Sequence, residues 1–253
     1  MEHFREGGHK MICPGRVKDA PLTFAQVLEK AQKFHQQKMY VAAIPYYSAM
    51  LELTERPLGI FHFQCGNILE ALSICYEQSG HLDKAVLVLQ RAILIKESVS
   101  DGSIEKTKEV FFSMGRLAEM YMVMGNLPIA KGILQKMDET AAETFGKDSF
   151  ERGRALCSLA GCLERSEEVE EAEKKLTECI QLEEYINPSD KQKLASSSIA
   201  FYNLGMICLN LKRQEEARTH FERALKMKRD AGLASDHPDV VEYSKALEGA
   251  KVQ

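Results

Sequence analysis

An all-α solenoid of about five helical hairpins, closed at its C-terminal end by a capping helix, is the fold that this 253-residue sequence predicts. Three observations carry the prediction. Alanine recurs at positions 43, 85, 130, 172 and 217, at separations of 42, 45, 42 and 45 residues by subtraction. Around each of these alanines, large apolar and small residues fall at similar offsets. Finally, a hydrophobic content of 45% with only seven prolines is enough for a packed core of long helices.

The pattern is fullest from Phe201 to Lys228. With Phe201 counted as the fourth place of a unit, Leu204 is seventh, Gly205 eighth, Cys208 eleventh, Ala217 twentieth, Phe221 twenty-fourth and Ala224 twenty-seventh. Two antiparallel helices approach closely only where small side chains meet. Gly205 and Ala217 supply that contact, Leu204, Phe221 and Leu225 fill the space beside it, and Ala224 admits the next hairpin. One such hairpin leaves an apolar face wet, so the motif requires neighbours. This set of offsets resembles the tetratricopeptide repeat. Its period exceeds the ~34 residues of the standard repeat by about two to three helical turns, so the helices are long. The long variety resembles the kinesin light chain type of repeat, with Asn203 before Leu204-Gly205 and the run Asp236-His237-Pro238-Asp239-Val240 after the last hairpin. The resemblance implies a right-handed solenoid in which that run opens a further first helix.

In chain order, residues 1–20 have no periodicity and predict a flexible tail. The solenoid is expected over 21–253, with repeats at about 22–57, 58–100, 101–147, 148–187 and 188–234. The first unit is eroded: Ala31, Phe34, Tyr40, Ala43 and Tyr47 fit, whereas Lys30 and Met50 do not. Thr23 and Gln26 form a capping box for a helix to about Gln37. Its partner runs from about Tyr40 to Glu55, where Pro45 kinks it or moves its start to near Ile44, and Pro57 ends the hairpin. The second unit, about Ile60–Ser79 and Leu82–Ser98, carries Leu72, Tyr76, Gly80, Ala85, Leu89 and Ala92 at the expected places. The third, about Ser103–Met124 and Leu127–Phe145, accepts Pro128 in its second helix's first turn and has Met137 where alanine is usual. The fourth, about Ser149–Arg165 and Val169–Tyr185, is restarted by Asp148 with Glu151 and places Cys179 at the small position. Nine glutamates lie between Glu164 and Glu184, which read as a solvated face or as a docking patch for a basic partner. Ser189 with Gln192 is expected to cap the fifth unit. A capping helix follows over 238–249, with Asp236 as its cap.

Composition and motifs exclude several function classes. Lys plus Arg total 33 against 37 Asp plus Glu, a net charge of −4, without the concentrated basic surface that nucleic acid needs. No apolar run reaches the roughly 18 residues of a membrane span, and the N-terminal residues lack the apolar stretch of a secretory signal. Seven cysteines, mostly on expected helices, read as small apolar packing in a reducing compartment, so cytoplasm is expected. No H-E-x-x-H, phosphate-binding glycine loop or C-x-x-C is present. Met1-Glu2-His3 offers an amine and an imidazole, and His9 and Cys13 two further donors, but none of these forms a closed metal site. The expectation is a chain with no enzymatic activity, no metal and no cofactor.

What remains is recognition of another protein. In stacked hairpins of the kind the sequence resembles, the second, fifth, sixth, ninth, twelfth and thirteenth places of each first helix face a channel. In the third unit these include Phe112, Arg116 and Glu119; in the fifth, Tyr202, Asn203 and Met206. These six are the candidate peptide-binding residues, and Asn203 can bond an extended backbone. The competing reading buries them against a neighbouring helix or the tail. The two-carboxylate clamp of chaperone-tail binders in the superfamily is absent in every register; from the third unit, for example, its places hold Gly115, Glu119, Ser158, Ile199 and Asn203. Two functions are therefore expected to compete: an adaptor holding a peptide or helix of a partner in its groove, or an assembly subunit embedded through its edges and acidic fourth unit.

Overall fold

The computed structural model describes residues 23–182 and 190–250, and these contain eleven α-helices and no strand. Met1-Glu2-His3, His9, Cys13, Tyr185 and Ser189 lie outside the described residues. The chain divides into two compact units at Val99/Ser100, between the second and third hairpins.

The first unit comprises α1 (Phe24–Gln36), α2 (Tyr40–Leu58), α3 (Phe63–Gln78) and α4 (Leu82–Ser98). Thr23 caps α1 by the expected box: its hydroxyl accepts from the Gln26 amide, and the Gln26 carboxamide oxygen accepts from the Thr23 amide at 2.9 Å. Val27, Ala31, Ala43, Tyr47, Met50, Ile68, Leu72 and Cys75 form the buried core. Met50, which breaks the repeat pattern, is nonetheless buried. Helix α2 continues through Pro45 and through Pro57, and its end is set by Gly59 at φ 87°. Pro57 therefore does not end the hairpin. Each proline removes one backbone donor without unwinding the flanking turns, whereas the left-handed conformation at Gly59 reverses the chain. Helix α3 begins three residues later than Ile60, because the His62 ring accepts from the Gln64 amide and caps it there.

The second unit comprises α5 (Ile104–Val123), α6 (Leu127–Thr144), α7 (Phe150–Arg165), α8 (Val169–Leu182), α9 (Lys191–Asn210), α10 (Gln214–Asp230) and α11 (Pro238–Gly249). Three caps differ from the sequence expectation. Ser149 caps α7 in place of Asp148, its hydroxyl accepting from the Arg152 amide. Asp190 caps α9 by accepting from the Lys193 amide. His237 caps α11 in place of Asp236, accepting from the Asp239 amide at 3.2 Å. In each case the residue immediately before the first helical turn reaches the free amide, as cap geometry demands.

Helix α11 covers the last hairpin as expected. Ala224, Leu225, Val240 and Tyr243 form its core, and the Tyr202 ring stacks on Tyr243 at 4.2 Å between centroids and 10° between planes. The Tyr202 hydroxyl donates to Glu242 at 2.8 Å. Lys228, buried beneath the cap, pairs with Asp239 at 2.6 Å. Burial, together with the Glu242 carboxylate, pushes the Tyr202 phenol up to about 12.

This packing decides the sign of several substitutions. A Cβ added at Gly205 would lie 2.6 Å from the ring of Phe221, which is fully buried, whereas one at Gly132 of α6 meets nothing within 4 Å. Gly205→Ala is therefore expected to lower stability by about 1–2 kcal/mol despite its gain in helix propensity, and Gly132→Ala to raise it by about 0.5–1 kcal/mol; thermal denaturation of both variants checks the register. Tyr202→Ala removes the stacked pair and should cost about 1–3 kcal/mol, with faster amide exchange confined to α11. In alkali the sign is equally definite. The folded state holds the Tyr202 proton more tightly than the unfolded chain, so this contribution is intact below pH 10 and is lost as pH rises toward 12. A tyrosinate absorbance titration of wild type beside Tyr202→Phe should show one late-titrating phenol missing in the variant.

Candidate functional site

The first helices of the three hairpins in the second unit, α5, α7 and α9, together with Cys179 and Leu182 of α8, line a cleft of 520 Å³. Its floor is one face of α7: Arg154, Cys157, Ser158, Gly161 and Arg165 all line it. These residues sit at intervals of three, four, seven and eleven from Arg154, which places them on a single helical stripe. Glu119 and Met122 of α5 form one wall, and Ser196, Ser197, Ile199, Ala200 and Asn203 of α9 form the other.

Of the six candidate residues, Glu119 and Asn203 line this cleft and the other four do not. Tyr202 is half-buried and packs on α11 through Tyr243 and Glu242. Phe112 acts at one remove. The residue is 38% exposed and its ring lies under the guanidinium of Arg154, with the guanidinium carbon 4.8 Å from the ring centroid, so it helps fix where that cation sits. Arg116 and Met206 are half-buried outside the lining. Asn203 meets the floor, its amide nitrogen 3.9 Å from the Cys157 sulfur.

Sequence reasoning does not single out the α7 stripe, because the glutamates of the fourth unit dominate its pattern. The signal that finds the stripe is the channel register itself. Applied to the fourth unit, that register gives Arg154, Cys157, Ser158, Gly161, Glu164 and Arg165, of which all but Glu164 line the cleft.

The polar inventory of the cleft is specific. Two guanidiniums face one carboxylate, Glu119, in a chain of net charge −4. Arg91, Arg152, Arg213 and Arg218 are each bound to carboxylates of the same chain. Arg154 and Arg165 make no ion pair among the described residues. The side chains of Asn203, Ser158 and Ser196 add donors and acceptors, and at Gly161 an added Cβ would meet nothing within 4 Å. A backbone can therefore approach the middle of the stripe closely.

Elsewhere the charges hold hairpins together. Lys131 reaches Glu168 at 2.6 Å, Arg213 reaches Glu173 at 2.6 Å, and Arg152 binds both Asp138 and Glu178. Three glutamates of the acidic fourth unit are thus engaged within the chain. In the first unit, the His35 ring nitrogen lies 3.2 Å from the Tyr47 hydroxyl and 3.7 Å from the Cys75 sulfur. Burial pushes that thiol up to about 11, so it stays protonated and buried, the opposite of an activated nucleophile. Among the described residues no group of three His, Cys, Asp or Glu side chains could hold a metal ion, and no helix is long and apolar enough to cross a membrane.

Comparison with known proteins agrees with this architecture. Residues 198–231 match the tetratricopeptide repeat family, the same segment in which the sequence pattern is fullest. Among solved structures, the nearly identical TPR-like repeats of a kinesin light chain from Podosopora anserina superpose with a TM-score of 0.64 at 16% identity, over 83% of this chain and 97% of that one. The apo form of RapI superposes with a TM-score of 0.73 at 15% identity, over 92% and 78%. YrrB, a TPR protein with an unusual peptide-binding site, gives 0.50 at 15% identity, over 88% and 92%. No curated protein sequence matches the chain. The chain carries a tetratricopeptide repeat at 198–231, and its all-α hairpin fold is that of solved tetratricopeptide-type repeat structures.

Proposed function

We propose that the chain is a non-enzymatic adaptor that holds a segment of a partner protein in the cleft between α5, α7 and α9. The observation that carries this reading is the α7 stripe, where five residues at channel places line one open cleft with a cation at each end. Such a concavity, part apolar and part polar, is the usual form of a recognition site on stacked helical hairpins. YrrB, which shares the fold and has an unusual peptide-binding site, supports the same use of it. The assembly-subunit reading has less support, because Glu168, Glu173 and Glu178 are engaged by Lys131, Arg213 and Arg152 of the same chain. The function involves no cofactor, nucleic acid or membrane insertion. Five of the six described cysteines are buried in the helical packing, which suits a reducing compartment such as cytoplasm.

The test is selection of a displayed random-peptide library on the full chain, followed by binding of the selected peptides to Gly161→Trp. This substitution projects a large side chain into the cleft from a position with free space around it. Peptides selected by the wild type should lose at least about tenfold in affinity for the variant, with its melting temperature unchanged. Peptides that bind both forms equally would move the function to another surface.

A further inference from the structure

The cleft encodes the charge and conformation of its occupant. Resting on the reading above, we infer that it takes an extended segment bearing two carboxylates about five residues apart, one for Arg154 and one for Arg165.

The spacing comes from the floor helix. Arg154 and Arg165 are eleven residues apart on α7 and both line the cleft, so a helical rise of 1.5 Å separates their Cα atoms by about 16 Å along the axis. An extended chain advances about 3.3 Å per residue and covers that distance in about five residues. A helical occupant would need about eleven.

Two features favour the extended form. Ser158, between the two cations on the floor helix, and Asn203 on the α9 wall offer side-chain donors and acceptors, and an extended backbone has unpaired N–H and C=O groups for them, whereas a helix has already paired its own. The open floor at Gly161 lets that backbone come close between the arginines.

The charge comes from what the cations do not touch. Neither Arg154 nor Arg165 has an ion-pair partner among the described residues, although the chain is acidic overall and pairs Arg91, Arg152, Arg213 and Arg218 internally. Arg154 is held on the Phe112 ring, which leaves the edge of its guanidinium free for bidentate carboxylate bonding. Glu119, the remaining charged group of the lining, disfavours a third acidic residue on the α5 side. The occupant is therefore selected for two placed carboxylates and against a uniformly acidic run.

The test uses the same displayed library on the full chain, read for residue enrichment, with the double charge reversal Arg154→Glu, Arg165→Glu beside the wild type. Both side chains are exposed, so the fold should survive, and melting curves verify it. The expected result is wild-type enrichment of Asp or Glu at two positions about five residues apart, replaced by Lys or Arg at those positions for the reversed chain. Arg154→Ala or Arg165→Ala alone should weaken a selected peptide about tenfold. Peptides that are blocked by Gly161→Trp yet carry no acidic pair would overturn this inference while leaving the groove reading in place. An acidic pair at a spacing of about eleven would overturn the extended conformation. Peptides indifferent to Gly161→Trp would overturn both readings, whatever their charge.

Discussion

Two antiparallel helices can touch along their length only where one of them has almost no side chain. In this chain that role falls to Ala43, Ala85, Ala130, Ala172 and Ala217, every one of them with no exposed surface. Each sets the separation within its hairpin, and the other core positions are fitted around that separation. Where a larger residue replaces a small one, the opposite helix gives way. Met137 stands at a place usually held by alanine and is nonetheless buried. It faces Gly115, where an added Cβ would lie 3.4 Å from the Met137 methyl carbon. Volume has been conserved across the pair rather than at either position, which is how tightly packed cores tolerate substitution.

The ionic contacts are a second layer on that frame. The bridges from Lys131, Arg152 and Arg213 join one hairpin to the next, and as partly exposed pairs each contributes little alone. Two buried lysines are different. Lys96 and Lys228, both at the thirty-first place of their units, are 4% and 3% exposed. Each meets a carboxylate on the following or preceding element, Glu70 at 2.7 Å and Asp239 at 2.6 Å. Each also lies over an aromatic ring, Phe63 or Tyr243. An amine at that depth is tolerated because both partners are present, and removing the carboxylate alone would leave a buried charge unpaired.

Much of this architecture is legible in the residues alone. The helices Leu82–Ser98 and Pro238–Gly249 appear with the expected boundaries: alanine spacing with flanking leucines marks the first, and the run Asp236–Val240, with proline tolerated in a first turn, marks the second. The differences concern residues with two competing roles. Pro57 reads as a terminator, but a proline near a helix end loses only one hydrogen bond, and Gly59 with its positive φ is what turns the chain. Asp148 and Asp236 read as caps, yet Ser149 and His237 each stand one residue closer to the free amides. The site is half legible. Register alone places Glu119 and Asn203, but it does not reveal that Tyr202 meets an aromatic partner on the capping helix, at Tyr243. The α7 floor lies in the same register, obscured by the glutamates around it.

The channel residues of α7 distinguish an adaptor from a chain that merely packs among others. The most direct measurement is site-specific photo-crosslinking in cells, with the reactive residue placed at Ser158 on the cleft floor or at Leu87 on the exposed face of α4, which is 66% exposed. An adaptor that works through its cleft should give a discrete adduct from position 158 that disappears when Gly161 is replaced by tryptophan, and none of comparable yield from position 87. An adduct from position 87 alone, with the cleft silent, would contradict that function.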